Sequence, residues 1–283
     1  MQMVFGCVHF SAPKGRFAPY ILASKCTHPA HHSRVSFIMI SKIIIPAAGK
    51  GTRMLDLAKD MPKHLINVLD KPFLYYVLKN LQVAGFEKMI LVVGHKAEKM
   101  QEFADQYKDE FAIQLVNQFD VMGKEKYGTA IPVLAAQKAV GNDSFVCMYG
   151  DNLYSARDLS EIRECDDGFN YLNIIQSDTP EKYGVPILED GVVKDFVEKP
   201  KEFISNWVTV GCYVFTSEIF GACEQVEKSS RGEYELTDAI RALAKQEKVK
   251  ARKMKDYRFD FGKPDDIEKV AQFLQKGTLH FSA

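Results

Sequence analysis

Short, continuously apolar runs alternate with segments of helical period along the chain from Lys42 onward. Strands that are apolar on both faces are typical of a parallel sheet covered by helices on each side. The apolar runs predict strands over 42–46, 88–93, 112–116, 144–149, 170–176 and 208–215. Helices are predicted over 72–84, along the face of Met100, Phe103 and Tyr107, and over 129–139, 217–226, 235–245 and 264–275. The predicted fold class is therefore α/β, with a mostly parallel sheet and helices on both faces.

Two regions in the second half of the chain break this alternation. Residues 185–188 and 192–197 flank the tight turn Glu189-Asp190-Gly191 and predict a β-hairpin. We expect this hairpin to be an inserted subdomain on one sheet, and residues 250–261 to be extended. In such folds ligands gather at the carboxyl ends of the parallel strands, so the residues that follow each strand are the candidates for a site.

The chain contains 37 basic and 37 acidic residues, so its formal charges balance. Without a global positive field, neither nucleic acid nor an anionic membrane surface is an expected partner. The apolar runs are also shorter than the roughly 20 residues of a membrane-spanning helix. Six cysteines occur without a Cys-x-x-Cys pair. This usage favours a reducing compartment, and the expected localisation is cytoplasmic.

Residues 1–38 differ in composition from the rest of the chain. They contain four cations and no acid, and the first carboxylate of the chain belongs to Asp56. An organelle transit peptide has this composition, but the segment lacks a clear amphipathic helix. Met39 stands three residues before the first predicted strand. We therefore favour initiation at Met39, interpret 1–38 as a disordered or mis-annotated extension, and expect a single domain over 39–283.

A glycine-rich segment, Ala47-Ala48-Gly49-Lys50-Gly51-Thr52-Arg53, follows the first predicted strand. Glycines let backbone N–H groups approach phosphate oxygens, and an arginine adds several donors in a fixed geometry. Two common phosphate motifs are excluded: the dinucleotide fingerprint needs a third glycine where Met54 stands, and the Walker A loop needs a serine or threonine at Gly51. Taken alone, the loop is explained about as well by a tight strand-to-helix turn.

Three charged residues further along the chain could form a phosphate and metal site together with this loop. Lys63 follows Arg53 by ten residues, and the two cations could flank a polyphosphate, although each alone is equally a solvated surface cation. Asp151 follows the strand 144–149, where a magnesium ligand is expected, but a helix N-cap explains it equally well. Asp260 follows an extended run and offers a second carboxylate, with a turn residue as the alternative.

The motifs Gly-x-Gly-Thr-Arg, Pro-Lys, Gly-Asp, Tyr-Gly, Glu-Lys-Pro, Gly-Glu and Asp-x-Gly occur in this order between residues 42 and 274. In this order they resemble the sugar-1-phosphate nucleotidyltransferase family, of the glucose-1-phosphate thymidylyltransferase or uridylyltransferase type. Gly51-Thr52-Arg53-Met54 followed by Lys71-Pro72 is especially similar to the uridylyltransferases, whereas the chain length is similar to the thymidylyl type. The resemblance implies a Rossmann-like sheet whose inserted hairpin binds the sugar, within one nucleotidyltransferase domain.

The resemblance also implies a role for each matching residue. Catalytic roles fall to Arg53 on the leaving pyrophosphate, to Lys63 on the α-phosphate and to Asp151. Asp151 and Asp260 are the implied ligands of Mg²⁺, the implied cofactor. The segment Gly232-Glu233 to Thr237-Asp238 forms the far wall of the site. The implied nucleotide-binding residues are Ala48, Gly49, Gly51, Thr52, Gln118, Gly128 and Thr129. The implied sugar-phosphate-binding residues are Tyr183, Gly184, Glu198, Gly211 and Lys199, the last of them on the phosphate.

The implied function is magnesium-dependent nucleotidyl transfer from UTP or dTTP to a sugar 1-phosphate, with glucose 1-phosphate as the first choice, and release of pyrophosphate. The alternatives are a non-catalytic sugar-nucleotide-binding regulator and a nucleotidyltransferase that uses CTP, GTP or another phosphorylated acceptor. A glycosyltransferase is disfavoured, because that class usually has Asp-x-Asp where Asn152 and Leu153 follow Asp151. Departures from the family pattern at Asp56, His64, Asn67 and Lys263 bear on loop stiffness and base preference. Base, sugar and oligomeric state, a homo-oligomer included, stay open.

Overall fold

The computed structural model describes residues 39–49 and 51–277, with every side chain in these ranges except those of Thr52, Leu55 and Asp56. The predicted extension 1–38 lies outside the described residues. Initiation at Met39 and a single domain over 39–283 therefore stay predictions. Within the described ranges, no helix is long and apolar enough to cross a membrane.

A nine-stranded sheet forms the centre of the described part. Numbered in chain order over all strands, its members are β1 (Lys42–Pro46), β4 (Lys88–Val93), β5 (Ile113–Asn117), β6 (Phe145–Met148), β8 (Asn170–Gln176), β9 (Gly184–Glu189), β10 (Val192–Glu198), β11 (Trp207–Phe215) and β12 (Val249–Lys253). Their order across the sheet is β5-β4-β1-β6-β11-β8-β12-β10-β9. Only β11 and β10 run against the other seven strands. The predicted mostly parallel α/β class is confirmed.

Helices cover both faces of this sheet, as predicted. In chain order they are α1 (Phe73–Val83), α2 (Ala97–Gln106), α3 (Gln118–Met122), α4 (Ala130–Val140), α5 (Ala156–Ile162), α6 (Glu218–Glu224), α7 (Leu236–Ala244) and α8 (Asp265–Gln275). One core contains residues of α1, α2, α5 and α8, and a second contains residues of α4, α6 and α7. In β1, Ile43 and Ile45 belong to the first core and Ile44 to the second. These three residues are all apolar because each face of the strand is covered.

The predicted hairpin is present as β9 and β10, and it extends the edge of the main sheet through the pairing of Val192 with Lys250. The predicted extended region 250–261 is divided between two sheets. Its first part is β12, and its second part, β13 (Arg258–Asp260), pairs antiparallel with β7 (Asn152–Tyr154). As a result Asp260 lies beside the segment that leaves β6, away from the main sheet.

Several short elements had no signal in the hydrophobic pattern. They are α3, α5, β7, the small sheet of β2 (Asn67–Val68) and β3 (Lys71–Pro72), and 3-10 turns over Thr52–Ala58, Lys63–Leu65 and Pro180–Lys182. Each has at most seven residues, which is too short for a helical or strand period to be read reliably. Three of them, Thr52–Ala58, Lys63–Leu65 and α3, carry predicted site residues.

Candidate active site

Two adjoining cavities open at the carboxyl ends of the parallel strands. The first, of about 190 Å³, is lined from the ends of β1, β5 and β6 and from the start of α4. The second, of about 360 Å³, is lined from β7, β13, the hairpin, β11 and the segment before α7. Thr129, Tyr149, Asp151 and Glu233 line both cavities. The two cavities are therefore parts of one cleft, with Asp151 where they meet.

The loop after β1 forms one wall of the first cavity. The backbone N–H of Gly150 donates to the carbonyl of Pro46 at 3.1 Å, which joins the loop to the segment that leaves β6. Ala48 and Gly49 line the cavity. A Cβ on Gly49 would meet no atom within 4 Å, so the backbone here is open to a ligand. The loop is therefore placed as a phosphate-binding loop requires.

Arg53 reaches the second cavity from the 3-10 turn that follows this loop. Met54, which occupies the position of the missing third glycine, is fully buried and anchors the turn to the core. Gly51 has a φ of +65°, and a Cβ there would lie 3.3 Å from Cβ of Lys63. The loop backbone thus packs against the lysine side chain, so Arg53 and Lys63 are held on neighbouring segments of the cleft.

Lys63 and Asp151 form an ion pair where the two cavities meet, with Nζ donating to Oδ2. Their side chains are 12% and 21% exposed. Burial raises the pKa of the Asp151 carboxyl, but the charge and the hydrogen bond of Lys63 outweigh burial and lower that pKa below its ordinary value. Asp151 is therefore an ionised carboxylate in the cleft, oriented by an ammonium group that also lines it.

His64, one of the departures from the family pattern, lies beside this ion pair and lines the first cavity. It is 2% exposed, and its Nδ1 is buried without a hydrogen-bond partner among the described residues. Burial lowers the pKa of the imidazole to about 3, and the charge of Lys63 adds to the effect while that of Asp151 opposes it. His64 is consequently neutral near physiological pH and adds no charge to the cleft.

Asp260 reaches the second cavity from β13, next to Asp151. In the β7/β13 pair Asp260 lies opposite Asn152, and the N–H of Phe261 donates to the carbonyl of Asp151 at 2.8 Å. The Asp260 carboxylate is 51% exposed, and its Oδ1 lies 3.0 Å from Nη2 of Arg258. The two acids that are 109 positions apart in the sequence therefore line the same cavity.

These two carboxylates fit magnesium as the implied cofactor. Magnesium is usually bound by one or two carboxylates, together with water and substrate phosphates. Among the described residues, no group of three or more His, Cys, Asp or Glu side chains is placed to hold a metal ion. The donor set of Asp151 and Asp260 thus suits an ion that is bound jointly with a nucleotide.

Residues predicted to contact the base lie in the first cavity. Gln118 begins α3, is 2% exposed, and has an Oε1 without a hydrogen-bond partner among the described residues. A buried acceptor in this state is costly unless a ligand donates to it. Thr129 also lines this cavity, and its Oγ1 accepts a hydrogen bond from the N–H of Leu236 at 2.8 Å. Thr129 therefore ties the first cavity to the start of α7.

Gly128 lies closely against the backbone of Tyr234. Its φ is +137°, and a Cβ there would lie 2.3 Å from both N and O of Tyr234. We expect Gly128→Ala to lower the free energy of unfolding by about 3 kcal/mol, because the Tyr234 backbone must move and its bonds to 127–130 must break. Urea denaturation followed by circular dichroism measures this loss.

Gly232→Ala is the matched control. Gly232 also has a positive φ, +77°, but a Cβ there would meet no atom within 4 Å. Its substitution should cost only the backbone strain, about 1 to 2 kcal/mol. Equal losses in the two variants would contradict a packing role for Gly128.

Residues predicted to bind the sugar phosphate lie mainly in the second cavity. Gly184 and Glu198 are opposite each other at the open end of the hairpin, and both line the cavity together with Tyr183 and Gly211. Lys199 is exposed, and its backbone N–H donates to the carbonyl of Tyr183 at 2.9 Å. Within the described part of the chain, Lys199 and Gly51 line neither of the two cavities. The phosphate-binding role of Lys199 stays a prediction.

The second cavity also contains charged and polar side chains to which the sequence analysis assigned no role. They include Asn152, Lys182, Arg231 and Arg258, beside Glu235 of the predicted wall segment. Glu235 is 7% exposed and pairs with Arg231 at 2.8 Å. Arg231 could have been found from the sequence, because it directly precedes the predicted wall segment. Arg258 had no such signal, since its partner Asn152 is 106 positions away.

Residues 42–277 match the family model described as nucleotidyl transferase. That range contains every residue that lines the two cavities. The chain therefore belongs to the nucleotidyl transferase family, and the resemblance to sugar-1-phosphate nucleotidyltransferases is confirmed. The protein is an enzyme of the nucleotidyltransferase class.

Within this class, the chain is similar to several uridylyltransferases and UDP-glucose pyrophosphorylases. The UTP–glucose-1-phosphate uridylyltransferase AglF of Haloferax volcanii is 35% identical over 243 residues, which cover 83% of this chain and 97% of that protein. The UTP–glucose-1-phosphate uridylyltransferase of Staphylococcus epidermidis is 32% identical over 255 residues, covering 79% and 88%. A solved UDP-glucose pyrophosphorylase complexed with UDP-glucose has 26% identity and a TM-score of 0.73, covering 84% of this chain and 100% of that one. The UTP-bound UGPase from Acinetobacter baumannii has 25% identity and a TM-score of 0.67, covering 86% and 95%.

Proposed function

We propose that this enzyme transfers the uridylyl group of UTP to glucose 1-phosphate in a magnesium-dependent reaction that yields UDP-glucose and pyrophosphate. One observation carries the proposal: Asp151, paired with Lys63, lies where a cavity lined by the predicted base contacts meets a cavity lined by the predicted sugar contacts. A bond between two substrates is expected to form at such a boundary. The two curated relatives described above are named for UTP and glucose 1-phosphate, which supports this choice of substrates.

In the proposed reaction, an oxygen of the sugar phosphate attacks the α-phosphorus of UTP and forms the new P–O bond. The bond from the α-phosphorus to the oxygen that bridges to the β-phosphate breaks in line, and pyrophosphate leaves with that electron pair. The attacking phosphate oxygen is already anionic, so the step needs no general base. Catalysis then consists of positioning and charge neutralisation, without a covalent enzyme intermediate.

Each charged residue of the cleft has its own role in positioning and charge neutralisation. Lys63 exchanges its contact with Asp151 for the α-phosphate, and Arg53 neutralises the charge that develops on the leaving pyrophosphate. The exchange frees Oδ2 of Asp151. Asp151 and Asp260 would hold a magnesium ion, which would supply further charge neutralisation when bound. His64 stays neutral beside these groups and adds no competing charge.

A substrate matrix tests the proposal. We expect pyrophosphate release to be fastest for UTP with glucose 1-phosphate among UTP, dTTP, CTP and GTP paired with the 1-phosphates of glucose, galactose and mannose. Uracil and thymine differ by one methyl group, worth about 1 to 3 kcal/mol in a pocket, so dTTP should be slower by roughly 10-fold to 200-fold. Pyrophosphate release without any sugar phosphate would contradict the assignment.

The same matrix decides among the alternatives. A non-catalytic regulator would bind UDP-glucose without releasing pyrophosphate from any pair. Fastest release with CTP or GTP, or with another phosphorylated acceptor, would keep the enzyme class and change its substrates. The ion pair of Lys63 with Asp151 and the placement of Arg53 in the same cleft favour catalysis over mere binding.

A cytoplasmic location is part of the proposal. Cys147, Cys165, Cys212 and Cys223 are free thiols. Cys147 and Cys212 lie in the core on the paired strands β6 and β11. Burial raises the pKa of Cys212 to about 12, so its thiol stays protonated and unreactive. Thiols that do not form disulfides are typical of proteins in reducing compartments.

A further inference from the structure

The two carboxylates assigned to magnesium lie on or beside short strands that hold them only weakly. β7 and β13 have three residues each and form a two-stranded sheet of their own. The side chain of Asp260 is half exposed, at 51%. A pair of short strands and an exposed carboxylate do not by themselves fix the separation of two oxygens within the tolerance that a magnesium ion demands. Other side chains must hold these acids in place.

Two hydrogen bonds and one ion pair join the two acids in a continuous chain. Nδ2 of Asn152 donates to Oδ1 of Asp151 at 2.9 Å. Oδ1 of Asn152 accepts from Nε of Arg258 at 2.9 Å. Nη2 of Arg258 lies 3.0 Å from Oδ1 of Asp260. We call Asn152 and Arg258 together the carboxylate bridge.

The chemistry of the two bridging side chains suits this task. An amide donates through its nitrogen and accepts through its oxygen, so Asn152 can link an acid to an arginine. The guanidinium is planar and holds Nε and Nη2 in one rigid fork, so Arg258 fixes the angle between its two partners. Asn152 is 3% exposed and the Arg258 side chain 13%. Both are held by their surroundings and cannot easily move away.

The carboxylate bridge leaves one oxygen of each acid available for a metal ion. It uses Oδ1 of Asp151 and Oδ1 of Asp260, and leaves Oδ2 of each carboxylate outside it. Oδ2 of Asp151 is held by Lys63, the residue assigned to the α-phosphate. Once a nucleotide attracts Lys63, both Oδ2 atoms can bind a metal ion while both Oδ1 atoms stay fixed.

We propose that Asn152 and Arg258 are positioning residues that set the separation of Asp151 and Asp260 for the metal–nucleotide complex. The proposal rests on the proposed function, because it takes the two acids as metal ligands. It goes beyond that function in giving roles to two residues that touch the acids and not the metal. Loss of such an outer partner typically weakens metal affinity 10-fold to 100-fold.

Metal binding tests the bridge separately from catalysis. Mn²⁺ is titrated into the full-length protein with one equivalent of UTP and without sugar phosphate, free Mn²⁺ is followed by electron paramagnetic resonance, and the Mn²⁺ bound by UTP alone is measured in a titration without protein and subtracted. Arg258→Met and Asn152→Ala should each raise the Mn²⁺ dissociation constant about 10-fold or more. Because the two residues form one bridge, the double variant should lose little more than the weaker-binding single variant.

Whether Mn²⁺ binding becomes weaker or stronger in the Arg258 variants distinguishes a positioning role from a purely electrostatic one. Removing a cation near a divalent metal strengthens metal binding if charge alone decides, whereas loss of the bridge weakens it. Arg258→Lys keeps the charge but cannot hold two partners in a fork, so it should also weaken Mn²⁺ binding. Arg252→Met is the matched control, because Arg252 is 15% exposed, pairs with Glu161 at 2.7 Å, and lines neither cavity of the cleft within the described residues.

Each outcome is decisive. Unchanged or tighter Mn²⁺ binding in Arg258→Met or Arg258→Lys overturns the bridge, as does an equal loss in Arg252→Met. If Arg258→Met does not fold, as judged by circular dichroism, Arg258→Lys and Asn152→Ala decide by the same criterion. A wild-type protein that binds Mn²⁺ with UTP but releases no pyrophosphate overturns the proposed function alone. A wild-type protein that binds no Mn²⁺ with UTP overturns both.

Discussion

Replacing Arg53 with alanine is expected to lower turnover about a thousandfold, by analogy with the arginines that neutralise charge in other phosphoryl transfers. Arg53 lines the cleft from a turn that follows the glycine-rich loop. Because Arg53 is exposed and Met54 anchors the turn, the substitution should leave the folded state intact. Single-turnover release of pyrophosphate from UTP and glucose 1-phosphate measures the effect, and circular dichroism checks the fold.

Arg157→Ala is the control for this variant. Arg157 is 72% exposed and pairs with Glu161 at 3.5 Å, on α5. An exposed ion pair of this kind contributes little, about 0 to 1 kcal/mol, so both turnover and stability should stay near those of the wild type. If Arg53→Ala retained activity within a few fold of the wild type, Arg53 would have no role at the leaving group.

The second large effect is expected from Asp151→Asn, which should keep the fold and abolish magnesium-dependent turnover. The lowered pKa of Asp151 means that the wild-type group is ionised at any ordinary assay pH, so the amide removes a full negative charge. Loss of a metal ligand withdraws several kcal/mol of charge stabilisation, equivalent to about a thousandfold in rate. Pyrophosphate release measured over a wide range of Mg²⁺ concentrations detects this loss.

Asp143→Asn is the matched control, because Asp143 also pairs with a lysine, Lys42, but on the surface and with 67% exposure. It should show the magnesium dependence of the wild type. Full activity of Asp151→Asn at ordinary Mg²⁺ concentrations would move the metal to other ligands. Loss of activity in both variants would indicate a general sensitivity to carboxylate removal.

Much of the fold was predictable because the core is regular. The strands 42–46, 88–93 and 170–176 have the predicted bounds, since apolar residues predominate in each of them. The direction of β11 was not predictable, because a buried strand reads the same whether it runs parallel or antiparallel. The division of 250–261 was also missed, because β13 pairs with β7 across more than 100 positions of sequence.

The site was predictable where its residues form local motifs. Ala48, Gly49, Gln118, Gly128 and Thr129 lie in the first cavity. The second cavity contains Arg53, Tyr183, Gly184, Glu198, Gly211 and Asp260. The hydrogen-bonded supports of the acids were not predictable. Asn152 was read only as a residue that breaks an Asp-x-Asp pattern, and Arg258 as part of an extended run, because their mutual contact depends on the tertiary fold.

The fate of each phosphate of UTP shows whether the enzyme transfers a uridylyl group to the sugar phosphate. The purified protein is incubated with Mg²⁺, glucose 1-phosphate and UTP that carries ³²P in either the α or the γ position, and the products are separated by chromatography. We expect that α-label enters UDP-glucose, that γ-label enters pyrophosphate in equal amount, and that neither product forms without the sugar phosphate. Appearance of α-label in UMP, or of γ-label in inorganic phosphate, as the main product would contradict this expectation.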